Sequence, residues 1–152
     1  MVYIAAEARA QLLDTLASAI EQLGLALAAL GEAYEALDEN TAETLEQGLF
    51  RPVQSAYGRA QRTHLEFADR HELPRRSFPP AAPGAPSHGV KGFLGAAMDA
   101  IAAADSLLAG LQDSMLPVEV GDGELRAGLQ DVRALLGPLS GQARELLRRL
   151  GR

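Results

Sequence analysis

The sequence predicts an all-α protein: a four-helix bundle of two antiparallel helical hairpins joined by a proline-rich linker. Hydrophobic residues make up 47% of the 152 residues, and Ala and Leu supply most of them. Aromatic residues make up only 5% and β-branched residues are few, a composition that favours helices over sheets. Apolar residues also recur with helical periodicity. The predicted single domain consists of a hairpin over residues 1–72, a linker over 73–89 and a hairpin over 90–152.

The first helix is predicted from about Tyr3 to Leu37, and an unbroken heptad pattern of apolar residues runs along it. Small residues, mostly Ala and Gly, flank this seam, which allows neighbouring backbones to approach closely, as in a multi-helix bundle. The seam residues are Leu13, Leu16, Ile20, Leu23, Leu27, Leu30, Tyr34 and Leu37.

The second helix is predicted from about Thr41 to His71, with Asn40 as its N-cap and Glu43 supporting that cap. The short connection before it makes the helix double back, antiparallel to the first one. Because Pro52 lies inside the helix, we expect a kink near residues 48–51. The expected neighbours across the two helices are Tyr57 with Leu23, His64 with residues 13–16, and Arg59 and Arg62 with Glu21 and Asp14.

The linker over residues 73–89 contains five prolines, which forbid a helix and favour an extended polyproline conformation. At about 3.1 Å per residue, such a segment reaches the full length of the bundle. The linker therefore either crosses over, leaving the third helix parallel to the second, or loops at one end. Of these two topologies, we favour the loop.

The third helix is predicted from about Ser87 or Val90 to Met115, and it carries few polar side chains. Its apolar seam has heptad spacing, and its polar residues are confined to one narrow strip. Because four helices cannot easily bury such a helix, contact with a second copy is the economical explanation. The predicted homodimer interface consists of small residues on both flanks, namely Gly95, Ala96, Ala102, Ala103, Ala109 and Gly110.

The fourth helix follows a tight loop over residues 116–123, and Asp122 is its predicted N-cap. Its heptad register runs from Leu125 to Leu150 and passes unbroken through Gly137-Pro138. A true break would reset that register. We therefore expect a kinked but continuous helix.

The net charge of −6 is unevenly distributed along the chain. Residues 1–50 carry a net charge of −8, whereas residues 51–76 carry +3. The simplest explanation is an acidic first helix beside an Arg-bearing second helix, and a basic patch for an acidic partner is the alternative. Because phosphate binding depends on a concentrated positive field, the acidic balance argues against a nucleic-acid partner.

The composition also excludes some classes of binding site and indicates the cellular compartment. No cysteine is present, which excludes disulfides, iron–sulfur clusters and thiolate zinc sites, and no cofactor is expected. No apolar run approaches the roughly 18 uncharged residues of a membrane span. The first ten residues lack the pattern of a signal peptide, so we expect a cytoplasmic protein without membrane contact.

The three histidines are candidate metal ligands or acid–base groups. His64 and His71 share a face of the second helix but lie about 10 Å apart along its axis, too far to share a metal ion without other ligands. The Glu-x-x-His pattern of di-iron bundles is missing from the sequence. We interpret His64 as a boundary residue and His88 as a solvated linker residue, and we predict no metal site.

One short motif resembles a known family. The stretch Arg59-Ala-Gln-Arg-Thr-His64 has the Arg-x4-His form of HEPN ribonucleases, which are small, dimeric and all-helical. The resemblance covers six residues, with Ala60 where that family usually has a polar residue, and it implies that Arg59 and His64 act on RNA across a dimer interface. Positions five apart on a helix differ by about 140°, however, so the two side chains would not converge from one helix face.

The sequence thus predicts a non-catalytic, self-associating helical bundle that serves as a protein interaction or structural module, with a homodimer as the expected assembly. The alternative is a sensor bundle with a pocket for a small molecule or an anion, and HEPN-like ribonuclease activity is a third hypothesis. The residues of the hypothetical pocket are Tyr57, Arg59, Arg62 and His64.

Overall fold

The computed structural model describes residues 2–82, 89–120 and 122–150, with side chains from residue 5 onward, and every regular element in these ranges is helical. The expectation of an all-α protein is therefore confirmed. The elements are α1 (Val2–Glu35), α2 (Glu39–Leu45), a π-helical turn (Glu46–Phe50), α3 (Arg51–Arg70), α4 (Gly89–Asp113), α5 (Leu116–Val120), α6 (Gly123–Leu136) and α7 (Leu139–Leu150).

The π-helical turn divides the predicted second helix immediately before Pro52. Arg51 donates its backbone N–H to the carbonyl oxygen of Glu46, five residues earlier, so this turn contains one more residue than an α-helical turn. Proline has no N–H to donate, and its ring clashes with the carbonyl group of the preceding turn. The wider turn relieves that clash, and it lies where the sequence predicts a kink.

The predicted fourth helix is divided into α6 and α7 at Gly137-Pro138. Gly137 keeps helical backbone angles (φ −52°, ψ −47°) and donates its N–H to the carbonyl oxygen of Arg133 at 3.0 Å. Leu136 and Leu139, on either side of the break, are both buried. The continuous register is therefore confirmed, but the helix itself is interrupted because Pro138 supplies no N–H.

The helix caps agree with the sequence prediction at one position and differ at another. Asp122 caps α6 as predicted, accepting the N–H of Leu125 at 2.9 Å. The cap of α2 is Asp38 and not Asn40, because α2 begins earlier than predicted and the Asp38 carboxylate accepts the N–H of Thr41 at 3.2 Å. The predicted tight loop before α6 also contains the short helix α5.

The main helix pairings join the two predicted hairpins to each other. α1 packs most extensively on α4, and α3 packs most extensively on α6, while the α1–α3 contact predicted from the first hairpin is smaller. Small residues that flank the seam of α1, such as Ala19, Ala26 and Ala33, are fully buried and let α1 contact helices on more than one side. The core thus lies between the α1–α4 pair and the α3–α6 pair.

The linker crosses over instead of looping at one end. After α3, Arg76 lies 3.7 Å from Asp14 in the first half of α1, and further along Pro80 and Ala81 border a cleft together with Leu27. The chain therefore returns along α1 toward its C-terminal end, and α4 runs parallel to α3. The favoured loop was wrong because the extended residues after α3 follow α1 from the level of Asp14 to that of Leu27. Residues 83–88, including His88, lie outside the described residues.

Two helices are long and apolar enough to cross a membrane, although charged residues interrupt both: α1 over Ala5–Glu35 and α4 over Gly89–Asp113. Half of the most apolar window of α1 is buried inside the chain, but only 39% of the corresponding window of α4. Core helices of soluble proteins also meet this criterion. A smaller share of the α4 window than of the α1 window is therefore buried within the chain.

Candidate functional site

The four residues of the predicted pocket lie in three different places. One borders a cleft between α1 and α3, two border a groove between α3 and α6, and one is enclosed in the core. These are, in that order, Tyr57, Arg59 with Arg62, and His64.

Tyr57 borders a cleft of about 430 Å³ that lies between α1, α3 and the linker. The Tyr57 ring is within 3.6 Å of the point that a Cβ atom on Gly24 would occupy, so its predicted position beside residue 23 of α1 is confirmed. A Cβ atom at Gly24 would therefore make an ordinary van der Waals contact with the ring. The cleft is lined by Gly24, Leu27, Ala28, Tyr57, Gln61, Phe78, Pro80 and Ala81.

Arg59 faces α6 and not α1. Its Nε donates to Oδ2 of Asp131 at 3.1 Å, and its Nη1 donates to Oγ1 of Thr63 at 3.2 Å. Arg62 borders the same open groove of about 460 Å³. The predicted pairing of both arginines with acids of α1 is therefore wrong, because Arg76 of the crossing linker contacts Asp14 and Glu21 instead.

His64 is fully buried, and neither ring nitrogen has a hydrogen-bond partner. The ring of Phe78 meets it edge-on, with 5.4 Å between the ring centroids. Burial lowers the pKa of His64 and the positive charge of Arg76 lowers it further, while Asp14 raises it. His64 is thus a core residue and not the predicted boundary residue. It does not converge with Arg59, so the geometry of the HEPN-like pair is not formed within this chain.

A cluster that the sequence did not predict joins the end of α3 to the start of α6. Arg70 donates from Nε and Nη2 to both carboxylate oxygens of Asp122, at 2.9 and 2.8 Å, and from Nη1 to Glu124 at 2.8 Å. His71 Nε2 lies 3.0 Å from Asp122 Oδ2, and Asp122 also accepts the N–H of Leu125. The side chain of Asp122 is only 6% exposed, so this ion pair is shielded from water on one side.

The hydrogen bonds around Asp122 outweigh the cost of burying its charge. Burial raises the pKa of this carboxyl, but the bonds from the Leu125 N–H, His71 and Arg70 lower it, and the pKa lies below its usual value. The residues that line the shallow groove here include no hydroxyl or thiol nucleophile. The cluster therefore holds the end of α3 against the start of α6. No sequence pattern indicates this contact, because His71 and Asp122 lie 51 residues apart in the chain.

The six predicted interface residues lie on the side of α4 that faces away from the core. Ala96, Ala102 and Gly110 are exposed, and the other three are half-buried. No atom comes within 4 Å of a Cβ built on Gly95 or Gly110. The residues form two rows of seven-residue spacing, Gly95-Ala102-Ala109 and Ala96-Ala103-Gly110, on either side of a polar strip that contains Asp99, Ser106 and Asp113.

Ala102, at the middle of the first row, borders a groove of about 350 Å³ between α4 and the break that separates α6 from α7. Asp105 and Arg133 form an ion pair beside it, with Nε 2.9 Å from Oδ1. The groove is lined by Met98, Asp99, Ile101, Ala102, Asp105, Leu136, Gly137, Leu139 and Ser140.

Within the described residues, no group of three or more histidine or carboxylate side chains is placed to hold a metal ion. Comparison of the chain with protein-family models, curated proteins and solved structures finds no match.

Proposed function

We propose that this protein is a non-catalytic helical module that associates with a second copy of itself through one side of α4. The observation that supports the proposal is the contrast between the composition of α4 and its burial. Although α4 is apolar enough to cross a membrane, 39% of its most apolar window is buried within the chain. A second copy would cover the remaining surface.

The row Gly95-Ala102-Ala109 is the side of α4 that we assign to the interface. Small side chains let two helix backbones approach closely and gain many weak dispersion contacts. A stable dimer buries about 1,200–2,000 Å² in total, more than three small residues provide. The adjoining groove extends this side with the half-buried Met98 and the exposed Gly137 and Ser140, whereas Leu136 and Leu139, which also line it, are already buried. The second row, Ala96-Ala103-Gly110, has no such groove next to it among those described.

The charges at the ends of α4 favour an antiparallel pairing. A two-fold axis at Ala102 would place Gly95 opposite Ala109 of the second copy, because both lie seven residues from the axis. Lys91 and Asp113 lie eleven residues from it on opposite sides, so each lysine would face an aspartate of the second copy. Such a pair contributes little affinity but fixes the register.

Sedimentation velocity or light scattering at micromolar concentration tests this interface. We expect the wild-type chain to be a dimer and Ala102→Glu to be a monomer, because the substitution places two carboxylates against each other at the axis. Ala127→Glu is the matched control: Ala127 is an exposed helical position on α6 that does not line this groove, and this variant should remain dimeric. A monomeric wild type overturns the proposal.

A charge swap tests the antiparallel register separately. Lys91→Glu should weaken the dimer, and the double variant Lys91→Glu/Asp113→Lys should restore it.

If Ala103→Glu dissociates the dimer and Ala102→Glu does not, the interface lies on the other row. Binding of the wild-type chain to lipid vesicles with loss of the free dimer would show that a membrane, and not a second copy, covers α4.

A further inference from the structure

Residues 73–82 form an extended segment, here called the strap, that covers the core beside His64. The strap begins where the Leu73 N–H donates to the carbonyl oxygen of Ala68 at 2.8 Å. Its half-buried Phe78 contacts His64, with the two rings almost perpendicular at 89°. Beyond Phe78, the strap forms one wall of the cleft that Tyr57 borders. The strap therefore closes both the core around His64 and part of that cleft.

Exposed ion pairs hold the strap against the helices. Arg76 lies 3.7 Å from Asp14 and 3.5 Å from Glu21, both on α1. Arg75 forms a bidentate pair with Asp69 near the end of α3, at 2.9 and 2.7 Å. Pairs of this kind stabilise a contact only slightly, because water screens them. The strap is thus attached less firmly than the helices that it covers.

His64 is the one described histidine whose ring is fully buried without a hydrogen-bond partner for either nitrogen. A charged imidazole in such a place has lost its hydration and gained no acceptor, which is costly. The charges that act on it are Arg76 on the strap, which opposes protonation, and Asp14 on α1, which favours it. The nearest charged residues on α3 itself, Arg62 and Glu66, are exposed. The closed strap therefore excludes the protonated ring.

We propose that protonation of His64 releases the strap and opens the cleft between α1 and α3. The closed strap accommodates only the neutral ring, whereas an open strap exposes the ring to water and to the carboxylate of Asp14. Phe78 and Arg76 leave together, because they are two residues apart on the same extended segment. The helices remain folded during this change, and mild acid uncovers the apolar wall around Leu27 and Tyr57.

The expected pH dependence follows from the two states. In the open state the ring titrates near its ordinary pKa of about 6.5. Burial holds the pKa of the closed state below that value. Between these values, each unit of falling pH raises the ratio of open to closed strap by as much as about tenfold. At pH 7.5 and above, the strap stays closed and insensitive to pH.

A tryptophan reporter measures the opening, because the chain has no tryptophan of its own. Phe78→Trp should fluoresce as a buried indole at pH 7.5 and shift to longer wavelength between pH 6.5 and 5. Far-ultraviolet circular dichroism should stay constant over that range. Adding His64→Leu should abolish the shift, whereas the matched variant His71→Gln should retain it, because His71 already has Asp122 as its partner.

A second measurement avoids altering the strap. In the wild-type chain, the backbone amide resonances of residues 75–78 should change with pH in step with the His64 ring, while those of the α1 core stay unchanged. The proposal is overturned if the strap signals do not respond down to pH 5, if the response persists in His64→Leu, or if helix content is lost at the same midpoint.

Discussion

The contact between α3 and α6 and the outward side of α4 are both rich in small residues, but they are packed in opposite ways. On α6, a Cβ atom at Gly128 would overlap Thr63 of α3, with Cγ2 at 2.7 Å and Oγ1 closer still. On α4, Cβ atoms at Gly95 and Gly110 would meet nothing within 4 Å. A small residue is required at Gly128 because another helix occupies the space. Beside Gly95 and Gly110 the space is open, and this is where a second copy would fit.

The two regions also differ in their polar contacts. The α3–α6 contact is closed by ion pairs from Arg59 and Arg70 at separate levels of the helices. On the outward side of α4, Asp99 and Asp113 are exposed among small residues. Ion pairs with good geometry fix one relative position of two helices. The α3–α6 pair should therefore tolerate substitution poorly, and the outward side of α4 should tolerate it well in the monomer.

Asp122→Ala should cause the largest loss of stability. It removes a helix N-cap, worth about 1 kcal/mol, together with hydrogen bonds to charged groups, worth about 1.5–3 kcal/mol. Because Arg70 is 31% exposed and regains water, we expect a total loss of about 2–4 kcal/mol in the free energy of unfolding, measured with urea. If the free energy of unfolding falls no more than for an ordinary surface substitution, the cluster does not hold the two helices together.

The free energy of unfolding measured at acidic pH tests the role of the same carboxylate. The pKa of Asp122 is lowered in the folded chain, so its contribution is present above the ordinary value of about 3.9 and disappears as the pH falls through the lower folded value. Asp122→Asn keeps an acceptor for the cap but carries no charge. The difference in unfolding free energy between wild type and this variant should therefore be constant near neutrality and shrink below about pH 4.

Gly128→Ala should destabilise the chain by about 1–3 kcal/mol, the usual cost of overpacking, although alanine is the better helix former. Thr63 cannot simply turn away, because it is buried and its hydroxyl donates to the carbonyl oxygen of Arg59 at 2.8 Å. Thermal or urea unfolding measures the loss. The double variant Gly128→Ala/Thr63→Ala should recover part of it. Equal stability of Gly128→Ala and wild type would contradict the close approach of α3 and α6.

Gly110→Ala should have the smallest effect and the opposite sign. The position is helical, exposed and open, so alanine should raise the unfolding free energy by up to about 1 kcal/mol through helix propensity alone. Unfolding of this variant in the monomeric background of Ala102→Glu isolates this gain. A loss of stability would mean that a neighbouring segment already covers the second row of α4.

Periodicity was sufficient to predict the helices, because an apolar seam must be buried whichever neighbour covers it. Most residues of the seams of α1, α4 and α6–α7 are buried as their spacing required, among them Leu16, Leu108 and Leu146. The exceptions on the first seam are Leu27 and Leu37, which are half-buried, and Tyr34, which is exposed. A disturbance of the helix before Pro52, where the structure has the π-helical turn, was also predictable, because a proline in a helix always removes one backbone hydrogen bond. These features depend on interactions between residues that are close in the sequence, so they can be inferred from it directly.

Helix pairing and the candidate site were not predictable in the same way. Chain order suggests hairpins, whereas the α1–α4 and α3–α6 pairs depend on the path of residues 73–82 through a groove whose shape no local pattern encodes. The error over Arg59 has a related cause: Arg59 lies on the side of α3 that faces α6 and pairs with Asp131, while Arg76 of the linker pairs with Asp14 on α1. Helix register alone does not show which arginine pairs with a given acid.

The extra residue in the turn before Pro52 determines which side of α3 faces inward. One residue corresponds to about 100° of rotation around a helix axis. If a single position were deleted from Glu46–Phe50, α2 could keep its contacts only by turning α3 by that angle, which would carry His64 and Phe67 out of the interior. The length of this one turn thus fixes the orientation of the twenty residues of α3 that follow it.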